Sequence, residues 1–364
     1  MQEALDLAVQ GRGEVEPNPR VGALMLQDGE IVGRGFHAHY GGPHAEVVAL
    51  QDARARGAKP DTAVVTLEPC SAQLGEGGKK TPPCVQALLD AGIQKVVVGA
   101  IDPDPRHRRR GLIQLEQHGV EIQDGVLAEQ SLRINRPFQK AVTLDRPWTI
   151  AKWAMTLDGK TAAPTGEARW ISGPESRRRT HELRARCDAV IVGFRTAQID
   201  DPELTVRHVE GKQPVRIVLD PLGDIDDDSN LVRTASSMPT WILVGDEVDP
   251  LRTGHLQDFG VQVIQLPCAE NARHLHLLKA WRELYRRGLR RVLVEGGGSL
   301  TADLFSWGCV DQVTAFLAPK IIGGRLAPTP VSGEGRPFMA EALPIEEWDW
   351  QRSGDDLQLS GFVY

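Results

Sequence analysis

Three short groups of residues, His44-Ala45-Glu46, Pro69-Cys70 and Pro83-Cys84, commit the first third of the chain to bringing separated element junctions together. The histidine falls at the start of a predicted helix, and the two Pro-Cys pairs fall at later junctions. One imidazole and two thiolates are three good zinc ligands, leaving a fourth tetrahedral position for water. Glu46 lies two residues beyond the histidine, placed to move protons at a metal-bound water without being a ligand. Zinc lowers the pKa of such a water to about 7. A closed structural site, with His37 or His39 as fourth ligand, is the alternative reading of the same residues.

The surrounding pattern is alternating α/β. Residues 2–12 form an amphipathic helix, and an apolar run over 21–26 meets the hairpin signal Asp28-Gly29 and a returning strand over 30–35. A helix over 43–56, a strand over 63–67, a helix over 83–91 and a buried strand over 95–99 follow, which implies a layered α/β domain. Asn135-Arg136-Pro137 and Asp145-Arg146-Pro147 mark a boundary near 145. Beyond it, strands are predicted at 148–155, 189–192, 215–219, 240–244, 261–265, 291–294 and 313–318, with helices over 174–187, 271–287 and 299–307. Two domains, 1–145 and 146–364, suit a chain of 364 residues.

Composition excludes several classes. With 42 Lys and Arg against 49 Asp and Glu, the net charge of −7 gives no general affinity for nucleic acid or anionic membrane. No uncharged apolar run approaches a membrane span, and the acidic N-terminus does not read as a secretory signal, so a cytoplasmic protein is expected. Five sparse cysteines do not read as a disulfide framework. Cys187, Cys268 and Cys309 are expected to pack in the interior.

His-x-Glu followed by Pro-Cys and a second cysteine is the signature of zinc nucleobase deaminases. A longer set of motifs resembles the bifunctional riboflavin biosynthesis deaminase/reductase family. It comprises Pro17-Asn18-Pro19-Arg20-Val21-Gly22, Gly35-Phe36-His37, Gly42-Pro43-His44-Ala45-Glu46, Glu68-Pro69-Cys70-Ser71 and Thr81-Pro82-Pro83-Cys84. In the second half, Leu157-Asp158-Gly159-Lys160, Trp170-Ile171-Ser172, Asp200-Asp201-Pro202, Leu204-Thr205-Val206-Arg207 and Val294-Glu295-Gly296-Gly297 continue it in order.

The resemblance implies a cytidine-deaminase-like zinc domain followed by a dihydrofolate-reductase-like α/β domain. It implies deamination of a diaminopyrimidinone ribosyl 5′-phosphate and then NADPH-dependent reduction of the ribosyl chain to ribityl. Carried over, His44, Cys70 and Cys84 hold Zn2+ and Glu46 shuttles protons. Asn18, His37, Lys80 and Asp102 fall on first-substrate positions. Arg184, Leu204, Arg207 and Glu295 match second-substrate positions. Ala154, Trp170, Thr196, Asp200, Gly297, Gly298, Ser299 and Leu300 match cofactor positions, and Lys152 and Asp200 are the polar groups assigned to the hydride acceptor. A small phosphorylated pyrimidine, with no nucleic acid or membrane partner, and a homo-oligomeric assembly are expected.

The sequence departs from the family in three places. The segment from Ser71 to Pro83 is long, Gly-rich and without histidine. Loop closure costs grow slowly with length, so the metal site tolerates it. Asp104, His107 and Arg109 stand where the family prefers Asn, Val and Gly, and Asp104 would repel a phosphorylated substrate unless the arginines of the Arg106–Arg110 run compensate. Ala168 stands where a substrate-facing serine is common. Read physically, Gly296-Gly297-Gly298-Ser299 after a strand is either a cofactor-phosphate cradle at a helix start or a turn that needs glycine. Three functional alternatives follow: a live reductase with an impaired deaminase, a non-catalytic zinc-stabilised nucleotide binder, and a nucleic-acid base deaminase supported only by the arginine run.

Overall fold

The protein was analysed as a computed structural model, which describes residues 1–12, 14–72, 82–268 and 274–363. The chain forms two compact units, Met1–Leu144 and Asp145–Tyr364. Lys80 and most of the Gly-rich segment lie outside the described residues, as does the start of the helix predicted over 271–287.

In the first unit the described strands are β1 (Gly22–Gln27), β2 (Glu30–Phe36), β3 (Thr62–Leu67), β4 (Lys95–Ala100) and β5 (Glu121–Gln123), in the order β2-β1-β3-β4-β5. Asp28 and Gly29, both at positive φ, close the β1–β2 hairpin. β3, β4 and β5 pair in parallel, so β3 and β4 send their chemistry-bearing continuations out of the same edge. The helix Ala45–Ala55 lies directly on β2 because Gly35 has no side chain. A Cβ there would stand 2.4 Å from both the Ala45 carbonyl oxygen and the Ala49 nitrogen. That close approach sets His44 and Glu46 against the sheet. Ala23, Met25, Val65, Val96, Leu88 and Leu112 form the centre of the core.

The second unit is built on β6 (Trp148–Thr156), β7 (Ala189–Gly193), β8 (Val215–Leu219), β9 (Thr240–Gly245), β10 (Gln262–Leu266), β11 (Arg291–Val294), β12 (Gln312–Ala318), β13 (Glu346–Ser353) and β14 (Asp356–Phe362). Their order is β10-β9-β8-β7-β11-β6-β12-β14-β13, parallel from β10 to β12 and antiparallel through β14 and β13. Seven of these strands are those expected from sequence. The terminal hairpin β13–β14 is an addition: β13 is an edge strand exposed along most of its length, so no alternation of buried and exposed residues announces it. Additional helices, Arg110–Gln117, Ala128–Ile134 and Arg136–Thr143, occupy the stretch before the second unit. No described helix is long and apolar enough to cross a membrane.

Arg146, from the Asp145-Arg146-Pro147 segment, is buried and makes a two-pronged contact with Asp311, at 2.6 and 2.8 Å. It also donates to the Gly308 carbonyl at 2.9 Å, while Asp311 accepts the Thr149 N–H at 2.8 Å. Truncating one partner strands a buried charge, so Asp311→Ala is expected to destabilise this unit by about 3–5 kcal/mol. All eight tryptophans lie beyond residue 147, so selectively excited tryptophan fluorescence during urea unfolding reports this unit alone. A midpoint equal to that of the parent protein would contradict the assignment.

Candidate active sites

His44 caps the helix Ala45–Ala55, Cys70 follows β3 by three residues, and Cys84 opens the helix Cys84–Asp90. Their ligand atoms lie within 4.8 Å of one another. His44 Nδ1 is 3.2 Å from Cys84 Sγ and 3.4 Å from Cys70 Sγ. The Cys84 N–H, a helix-start donor without a partner in its own helix, donates to Cys70 Sγ at 3.3 Å. One nitrogen and two sulfurs at these separations, with an N–H favouring the thiolate, fit a zinc ion with an open fourth position.

Glu46 is in the first turn of the same helix, 3% exposed, and burial raises its carboxyl above the ordinary range. His37 does not serve as a fourth ligand, because both ring nitrogens are engaged. Nδ1 lies 2.8 Å from the Pro43 carbonyl, so it carries the hydrogen, and Nε2 accepts from Asn18 Nδ2 at 3.1 Å. Burial lowers its pKa to about 4, opposed by the Pro43 bond and reinforced by His44 and His39, so it is neutral at physiological pH. Its ring stands edge-on to His44, with centroids 5.4 Å apart. The structure thus brings Asn18, His37 and the ligand trio together. His39 is exposed, within 3.4 Å of the Tyr40 carbonyl.

Asp102 follows β4 by two residues. Burial, together with Glu68, Asp104 and Cys70 nearby, pushes its carboxyl up to about 7, against the Asp104 N–H it accepts at 2.8 Å. The repulsion expected from Asp104 is met locally. Arg106 grips that carboxylate with contacts of 2.6 to 3.1 Å, and Arg109 pairs with Asp124 at 2.7 Å. The sequence reading assigns Glu68 no role. A carboxylate abutting the buried end of an apolar strand is the signal for one, and its partners are described below.

In the second unit Lys152 on β6 and Glu295, immediately after β11, stand 3.5 Å apart, and Arg184 donates to Glu295 at 2.6 and 3.2 Å. Burial opposes ionisation of Glu295, but Arg184 and Lys152 outweigh it and hold its pKa at about 2. Burial pulls Lys152 below the ordinary lysine value, with Glu295 opposing and Arg184 adding to the shift. Arg184 also donates to the Thr205 carbonyl at 2.9 Å, so it braces the segment carrying buried Leu204 (φ +52°). Arg207 pairs with Glu203 at 2.6 Å at the surface.

A cleft of about 750 Å³, within the range of small-molecule sites, is lined by Thr196, Asp200, Gly297, Gly298, Ser299 and Leu300, and by Ala168. The Gly297 N–H donates to Thr196 Oγ1 at 3.1 Å. Gly298 answers a packing need: a Cβ would fall 2.3 Å from the Thr329 carbonyl. The glycine run is thus a close-packed helix start that also forms part of the cleft wall. Size and wall fit a dinucleotide. Ala154 and Trp170 are not among the lining residues; Trp170 is exposed, with the Arg177 guanidinium 4.5 Å over its ring. Burial raises the Asp200 carboxyl, with Arg169 opposing. Cys187 and Cys309 are buried and Cys268 half-buried.

Residues 1–100 match the cytidine and deoxycytidylate deaminase zinc-binding region, and residues 147–359 match the RibD C-terminal domain. The riboflavin biosynthesis protein RibD of Synechocystis is 39% identical over all of this chain and 95% of its own length. That of Aquifex aeolicus is 38% identical over 98% and 96%. The crystal structure of a diaminohydroxyphosphoribosylaminopyrimidine deaminase/5-amino-6-(5-phosphoribosylamino)uracil reductase from Thermotoga maritima aligns with a TM-score of 0.69 at 32% identity, covering all of this chain and 97% of that one. Acinetobacter baumannii RibD, form 1, gives 0.73 at 30% with the same coverage. The chain belongs to the RibD family, the bifunctional enzymes of riboflavin biosynthesis in which a zinc-dependent deaminase domain precedes an NADPH-dependent reductase domain.

Proposed function

We propose that the first unit deaminates a diaminopyrimidinone ribosyl 5′-phosphate and that the second reduces the ribosyl side chain of the product to ribityl. The observation that carries the reading is the convergence of His44, Cys70 and Cys84 beside buried Glu46. The printed name of the Thermotoga relative supports the substrate class.

In the deaminase, His44 Nδ1 and the two sulfurs would hold zinc. Once bound, zinc supplies a water that ionises near neutral pH. The Glu46 carboxyl would carry a proton from the attacking water to the departing amino nitrogen, a task suited to a carboxyl whose pKa burial has raised. Neutral His37, fixed by Pro43, orients the Asn18 amide towards the substrate ring. Lys80 is assigned to the ribose phosphate.

In the reductase, the Gly297–Leu300 turn, Thr196 and Asp200 form one wall of the NADPH cleft. NADPH supplies the hydride. Lys152, held by Glu295, is the proton source assigned to the ribose ring oxygen, whose bond to the anomeric carbon breaks as that carbon is reduced, and Arg184 keeps Glu295 ionised. Arg207 and Leu204 bound the substrate on the opposite segment.

Thiols rather than disulfides at Cys187, Cys268 and Cys309 suit a reducing, cytoplasmic compartment. The net charge of −7 and the carboxylate partners of Arg106 and Arg109 speak against a nucleic-acid substrate. Self-association accords with the exposed edge strand β13, on which Trp348 and Trp350 stand exposed among charged residues.

Glu46→Gln is expected to lower deamination by about 10²–10⁴-fold, with zinc content and reductase activity kept. Ammonia release at the parent rate would remove Glu46 from the chemistry. Lys152→Met is expected to lower the reductase kcat by roughly 10²-fold while NADPH binding, read by fluorescence titration, is unchanged. A loss confined to NADPH affinity would reassign the lysine to the cofactor.

A further inference from the structure

Glu68 lies between β3 and the zinc ligand Cys70 and is buried, 6% exposed. A buried carboxylate needs donors, and those given to Glu68 all come from one segment. Oε2 accepts the N–H of Asp102 at 3.1 Å and of Arg109 at 2.9 Å, and Oε1 accepts the N–H of Gly111 at 3.0 Å. Asp102–Gly111 is the stretch that leaves β4 and enters the helix Arg110–Gln117.

Two further features show how closely the segment is seated. A Cβ at Gly111 would stand 2.0 Å from the Pro69 carbonyl oxygen, so the neighbouring residue of the Glu68-Pro69-Cys70 run is in direct contact with it. Arg109 adopts φ +60°, a conformation uncommon for residues other than glycine, and its N–H is one of those Glu68 accepts. Within the segment, Asp102 accepts the Asp104 N–H and Asp104 is gripped by Arg106. The segment is therefore braced internally and held at three main-chain N–H groups by one side chain two residues from a zinc ligand.

We propose that Glu68 is a positioning residue for deamination: its carboxylate holds the Asp102–Gly111 segment so that Asp102 meets the substrate beside Cys70. The inference rests on the reading of Asp102 as a substrate contact. The anchor is selective, since it bears on where the substrate sits and not on Glu46, which belongs to a different helix.

The test compares Glu68→Ala with the parent, zinc-loaded and full-length. The expected result is a deaminase KM raised at least about tenfold with kcat within roughly threefold, a split that lost folding alone would not produce. Zinc stoichiometry is kept, as is reductase activity on the deaminated product. Tryptic cleavage within the exposed arginines 106–110 is expected to quicken by about tenfold as the freed backbone opens. If the alanine variant fails to retain zinc, Glu68→Gln, which keeps the shape but presents an amide donor to N–H groups, is expected to show the same KM and cleavage changes. Parent-like KM and cleavage in a zinc-loaded variant would overturn the proposal. So would a fall in kcat at unchanged KM, which would make Glu68 a support of the metal site. Asp102→Asn, measured in parallel, separates the two readings. If it leaves KM unchanged while Glu68→Ala raises KM and speeds cleavage, the Asp102 contact falls and the anchoring role stands.

Discussion

Parallel pairing of β3 with β4, in register from Thr62↔Lys95 to Leu67↔Ala100, makes the two strands end side by side. Glu68, Cys70 and Asp102 come from those ends. The second unit repeats the device on a larger sheet. β11 pairs in parallel with both β6 and β7, so the glycine run beyond β11 meets Thr196 beyond β7, while Glu295 meets Lys152 of β6. Open parallel sheets place ligand sites outside the carboxyl ends of their strands, and both chemistries of this enzyme follow that rule. His44 is brought to the first site separately, by a helix that rests on β2 because Gly33 and Gly35 lack a Cβ.

Charge is handled differently at the two sites. In the deaminase unit the buried acids Glu46 and Asp102 have carboxyl pKa values raised chiefly by burial. In the reductase unit Glu295 is locked in its ionised form between two cations, and its negative charge keeps Lys152 and Arg184 compatible in one buried place. A single carboxylate in water-poor surroundings can thus be a proton carrier or a fixed counter-charge, depending on whether a cation faces it.

Much of this was legible before any fold was available. The zinc trio rests on ligand chemistry that few residue types can provide, and the parallel strands are short β-branched runs bounded by turn residues, a pattern that survives in a single sequence. Legibility failed where the information is tertiary. Arg184 is placed on the second substrate by the resemblance alone, and nothing in the sequence announces that its guanidinium also meets Glu295 and the Thr205 carbonyl. Glu68 reads as part of a Pro-Cys motif because its partners are main-chain groups 34 to 43 residues away, which carry no sequence signature. The β13–β14 hairpin was silent because an exposed edge strand has no buried face to pattern it. The glycine run left two meanings open because a turn and a cofactor-phosphate cradle both favour glycine; at Gly298 the demand the structure shows is packing against the Thr329 carbonyl and Ser332.

The central claim is that two chemistries act in order in one chain, and the most direct measurement stages them. Purified, zinc-assayed enzyme is given its phosphorylated diaminopyrimidine substrate without NADPH, ammonia is followed to completion, and NADPH is then added while its absorbance is recorded. The account predicts ammonia in amounts equal to substrate, followed by an equal loss of NADPH. Zinc-loaded protein that releases no ammonia yet oxidises NADPH on the deaminated compound would contradict it.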